Sequence, residues 1–141
     1  MVAVVMVVCG FGIGALAQSV PEPVHQRTAQ FFKLLAAGEV ERAYGQLLRG
    51  SSPEDSLRAA QLWERTQQLH ERCGLPVGYE IVRSATLGRS LVQLTCVGLY
   101  GHCVAGWELL FYRSPRRGWI VLRVELREQP EELFPGNNGR E

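Results

Sequence analysis

The sequence predicts an α+β domain: three N-terminal helices packed on one face of a curved four-stranded antiparallel meander sheet. Two observations carry this. From Val77 to Leu126, apolar residues alternate along four runs separated by tight-turn residues. From Val24 to Arg72 they recur at helical spacing in three stretches, followed by Gly38, Gly50 and Gly74. A chain of 141 residues has room for one such domain.

The first helix, Val24 to Ala37, sets Val24, Thr28, Phe31 and Leu35 on one face, and Gly38 stops it. The second, Glu39 to Arg49, does the same with Val40, Ala43, Tyr44, Leu47 and Leu48. The third has the plainest start. Ser52 is the N-cap, Pro53 the first helical residue, and Glu54 and Asp55 put negative charge in the first turn. Its inward face is Ala59, Leu62, Thr66, Leu69 and Cys73, and Gly74 with Pro76 ends it.

Turn chemistry sets a strand register. A Gly88-Arg89 turn pairs Ile81 with Cys96, Arg83 with Leu94 and Ala85 with Val92. A turn on Leu99-Tyr100 sets Cys96 opposite Cys103 and Val92 opposite Trp107. A loop over Ser114-Pro115-Arg116-Arg117 sets Phe111 opposite Ile120 and Trp107 opposite Val124. One face then collects Tyr79, Ile81, Ala85, Val92, Leu94, Cys96, Cys103, Ala105, Trp107, Leu109, Phe111, Ile120, Leu122, Val124 and Leu126. The other carries Glu80, Ser84, Gln93, Thr95, Glu108, Arg123 and Glu125, with Glu108 opposite Arg123. Leu110, Tyr112, Trp119 and Val121 add an apolar patch to that outer face, which predicts a homodimer. The alternative is that the C-terminal tail folds back through Leu133 and Phe134 to cover the patch.

Met1–Ala17 has no charged residue and ends in Ala15-Leu16-Ala17, an A-x-A pattern before Gln18. It is expected to be a signal peptide, cleaved after Ala17, which sends the chain to a secreted or periplasmic location. An uncleaved anchor and lipidation at Cys9 are the alternatives. Residues 18–23 form a linker, 24–128 the domain, and 129–141 a tail expected to be disordered. A net charge of +1 argues against a dedicated nucleic-acid binder. No membrane contact is expected beyond the signal segment.

With the signal removed, Cys73, Cys96 and Cys103 remain. The register offers a Cys96–Cys103 disulfide; buried thiols packing as small hydrophobes are the other reading. No C-x-x-C spacing exists, and His25, His70 and His102 share no ligand spacing, so neither metal nor cofactor is expected. The carboxylates Glu80, Glu108 and Glu125 fall on the outer face, so no catalytic residues are assigned. The inward polar set is Tyr79, Arg83 and Thr66, a candidate site for an anionic or polar ligand.

The run Phe31-Phe32-Lys33-Leu34-Leu35-Ala36-Ala37-Gly38-Glu39-Val40-Glu41-Arg42-Ala43-Tyr44, together with Gly118-Trp119 at the last strand, resembles the nuclear transport factor 2-like superfamily, a cystatin-like α+β cone. The likeness is to its small secreted bacterial members of unknown function and covers Val24 to Leu126. It implies a sheet wrapped on helices, often around a pocket, and pairing through the outer sheet face. Function does not travel with such a fold. Three functions are therefore expected in competition. The first is an exported non-catalytic domain binding a small ligand or protein partner. The second is a small isomerase or hydratase using Tyr79 and Arg83. The third is an assembly subunit acting through its outer sheet face.

Overall fold

The computed structural model describes residues 20–136. The signal-peptide reading of Met1–Ala17 and the last tail residues lie outside them. Helices α1 (Glu22–Ala36), α2 (Val40–Leu47) and α3 (Pro53–Cys73) precede four strands, β1 (Gly78–Leu87), β2 (Leu91–Leu99), β3 (Val104–Ser114) and β4 (Gly118–Arg127). The strands form one open antiparallel sheet in the order β1-β2-β3-β4. This is the expected α+β architecture. A 3₁₀ turn follows at Pro130–Leu133.

Helix α1 ends where glycine allows it to. Gly38 has a φ of 77°. Its N–H donates to the Leu35 carbonyl at 3.0 Å, and the Glu39 N–H donates to the Leu34 carbonyl at 2.9 Å. These two bonds satisfy carbonyls that the helix end would leave open, and they turn the chain straight into α2.

The core lies between the helices and the inner sheet face, around Trp107, Tyr44, Phe31 and Phe111, all fully buried. Phe31 meets Tyr44 and Trp107 edge-on, at centroid separations of 5.1 and 6.1 Å. Phe32 meets Trp107 the same way at 5.4 Å and stacks on Tyr79 at 4.4 Å. A polar chain runs through these rings. Trp107 Nε1 donates to Tyr44 OH at 3.0 Å, and Thr66 Oγ1 donates to the Leu62 carbonyl at 2.7 Å. The remaining contact, Tyr44 OH to Thr66 Oγ1 at 2.8 Å, must then carry the phenol proton toward Thr66. Every donor has one acceptor, and β3, α2 and α3 are tied together at depth. Burial raises the Tyr44 pKa, which keeps that proton in place.

The register departs from expectation in two ways. Between β2 and β3 it slips: Val92, expected opposite Trp107, lies opposite Phe111, four residues on. An even slip leaves every side chain on its expected face. Two single-residue bulges do the opposite. In β1 the pairing jumps from Ile81 to Arg83, leaving Val82 extra. In β4 it jumps from Arg123 to Val121, leaving Leu122 extra. Beyond the first bulge Arg83 pairs with Thr95, not Leu94, and faces outward. Beyond the second, Val121 turns into the core at 0% exposure, and Leu122 is 41% exposed. Glu108 lies opposite Glu125 rather than Arg123, and Arg127 bridges the two carboxylates at 3.2 and 2.6 Å.

The disulfide is also corrected. Cys73 is bonded to Cys103, and Cys96 is a free, buried thiol. The slip explains this. Cys96 sits opposite Trp107, and Cys103 lies in the β2–β3 loop beside the end of α3. Burial pushes the Cys96 thiol up to about 12, so it stays protonated and unreactive.

Two outcomes are expected. In urea unfolding, Tyr44→Phe lowers stability by about 1–3 kcal/mol, because the Trp107 N–H loses its buried acceptor; an unchanged midpoint would contradict the polar chain. Non-reducing peptide mapping links the Cys73 peptide to the one carrying Cys103. Cys96→Ser keeps that link, whereas Cys103→Ser removes it and lowers stability by roughly 3.5 kcal/mol for a loop of this length. A link that survives Cys103→Ser would contradict the pairing.

Candidate functional site

The inner face offers little room for a ligand, because the aromatic cluster occupies it. The outer face is different. Between the inward Ala105 and Trp107, Gly106 faces out, and a Cβ placed there would overlap the Leu133 side chain. The missing side chain is thus the seat for Leu133. Ion pairs hold the segment that carries it. Glu128 meets Arg65 and Arg72 at 3.0 and 2.9 Å, and Glu132 meets Arg127 at 3.8 Å. Such partly exposed pairs contribute up to about 1 kcal/mol each. Residues 130–136 therefore form a strap across the sheet, whereas the sequence led to an expectation of disorder.

Beneath the strap runs a groove of about 400 Å³ lined by Val82, Val97, Val104, Pro130, Leu133, Phe134 and Pro135, with Arg83 as its charged wall. A more polar trough of about 310 Å³ continues past Phe134 along Ala85, Gln93, Thr95 and Glu108, and Arg83 lines that too. Arg83 Nη2 donates to Thr95 Oγ1 at 3.3 Å. Among the described residues no carboxylate lies within ion-pair distance of Arg83. Glu108 is held instead by Arg127. The result is an apolar slot ending at a guanidinium with donors to spare, which suits an apolar body with an anionic head.

The structure separates the three residues expected to bind ligand together. Tyr79 stacks on Phe32 at the inner face, and Thr66 is buried in the polar chain. Arg83 is outside, turned there by the Val82 bulge. The expected interface patch is also divided. Leu110 and Tyr112 are half-buried residues of the outer face. Trp119 and Val121 turn inward: Trp119 packs against the core and Val121 is part of it. The Leu122 bulge is the cause. The tail does fold back onto the outer face, but Leu133 and Phe134 share a groove with Val97 and Val104, and none of the four patch residues lines it.

Cys73, His102 and Cys103 bring ligand-type atoms within 4.8 Å of one another. Both sulfurs are joined in the disulfide, and His102 Nε2 lies 3.2 Å from the Arg72 carbonyl. In this state the trio is a covalent tie beside a backbone contact. Nearby, His70 Nε2 is 3.0 Å from Tyr100 OH, and burial lowers the His70 pKa.

No protein-family model, curated protein or solved structure matches the chain. Among the described residues no helix is long and apolar enough to cross a membrane. The groove was missed in the sequence because it needs the bulge and the strap together. One signal was present: an outward glycine, Gly106, within a bulky strand, and an apolar Leu133-Phe134 pair in an otherwise polar tail.

Proposed function

We propose that this chain is an exported, non-catalytic binding domain whose outer-face groove takes a small apolar ligand bearing a carboxylate. The observation that carries this is Arg83, without an ion-pair partner among the described residues, at the wall of an otherwise apolar slot. Export rests on the uncharged Met1–Ala17 stretch and its A-x-A ending. The interior pocket implied by the superfamily resemblance is filled here by Phe31, Phe32 and Trp107, which moves the candidate site to the outer face. An isomerase built on Tyr79 and Arg83 has no geometric support, since the two lie on opposite faces.

Decanoate and decanol share a chain and differ in the head group, so calorimetric titration of both isolates the role of Arg83. The wild type binds decanoate more tightly. Arg83→Gln weakens decanoate about tenfold or more and leaves decanol unchanged, as loss of a charge-assisted hydrogen bond requires. Equal affinity of the wild type for both would overturn the anion reading. Binding of neither would overturn the groove itself.

A further inference from the structure

One end of the molecule gathers arginines that no described carboxylate neutralises. Arg89 lies in the β1–β2 turn, Arg113 near the end of β3, and Arg116 and Arg117 in the β3–β4 turn. The Arg113 N–H donates to the Ser90 carbonyl at 2.7 Å, which brings the two turns together. Arg27 and Arg49 join them from the helices. Arg27 donates to the carbonyls of Trp119 and Arg49 at 2.9 and 3.3 Å, and Arg117 donates to the Gly50 carbonyl at 2.8 Å. None of the six makes an ion pair among the described residues; the ion pairs there involve Arg42, Arg65, Arg72, Arg123 and Arg127. Burial first, and then the like charge of Arg49, lower the Arg27 pKa. The whole chain is nearly neutral at +1, so its charge is polarised along the molecule.

Two exposed leucines point to the kind of surface this end would meet. Leu87, the last residue of β1, is 72% exposed, and Leu57, near the start of α3, is 75% exposed. The start of α3 is held at this end by Ser51 Oγ, which donates to the Val121 carbonyl at 2.6 Å.

We propose that this end docks on the anionic surface of a lipid bilayer, with the arginines on headgroup phosphates and Leu57 and Leu87 in the interfacial layer. Clustered basic residues are drawn to anionic leaflets, and exposed apolar side chains add area buried at the interface. This goes beyond the expectation of no membrane contact outside the N-terminal segment, and it is independent of the groove.

The test is flotation of the full chain with phosphatidylcholine vesicles and with vesicles also containing phosphatidylglycerol. The comparison variant is Arg89→Glu/Arg113→Glu/Arg116→Glu, since these three side chains make no hydrogen bond among the described residues. Its melting temperature should match the wild type. The wild type binds the anionic vesicles more tightly, and the preference fades as salt rises from about 0.1 to about 1 M. The variant loses about a hundredfold, at roughly fivefold per arginine. Equal binding to both vesicle types, untouched by the variant, would overturn the proposal. Salt-sensitive binding to a single-stranded oligonucleotide with none to vesicles would overturn it in favour of nucleic acid.

Discussion

The hydrogen-bond chain from Trp107 through Tyr44 and Thr66 to the Leu62 carbonyl is the interaction on which the rest of the structure depends. Three polar groups are fully buried, where each would be costly if left unpaired. They are tolerable together because each proton has one acceptor. The chain fixes α2 and α3 over β3 and leaves the aromatic rings of Phe31, Phe32 and Tyr79 to close the remaining space. A fold that in principle has room for a ligand between helices and sheet is thereby filled with its own side chains. This makes the outer-face groove the candidate site.

The outside is shaped by two bulges, both on edge strands. Val82 in β1 and Leu122 in β4 each add one residue to a strand with a free side. Bulges at such positions twist an edge away from pairing with another sheet. Here they also decide which face carries chemistry. One turns Arg83 out to the groove, and the other turns Val121 into the core. Between the two edges lies the strap, seated on Gly106, which covers part of the face that would otherwise be open to a second sheet.

Much of the fold is legible in the sequence. The helices announce themselves by spacing and by Gly38, Gly50 and Gly74; the inward residues of β2 and β3 were assigned to the right face even though their pairing was off by four residues. Parity forgave that error, because a four-residue slip is invisible to face assignment. It did not forgive the bulges, which carry no local mark: neither Val82 nor Leu122 is a glycine, or next to one or to a proline. The disulfide was misread for a related reason. Cys103 was placed in a strand opposite Cys96, but the slip moves it into the loop beside α3, within reach of Cys73. Tyr79, Arg83 and Thr66 share a face by parity alone, and the Val82 bulge turns Arg83 to the other one.

The groove and the arginine-rich end are separate features of one molecule, one an apolar slot with a single cation and the other a charged rim with two exposed leucines. The central claim is that ligand enters the outer-face slot and not the helix–sheet interior. Titrating decanoate into isotopically labelled protein and following backbone amide shifts tests this most directly. The largest changes should fall on Val82, Arg83, Val97, Val104 and Leu133. Changes centred instead on Phe31, Tyr44 and Trp107 would place the ligand in the interior and contradict the claim.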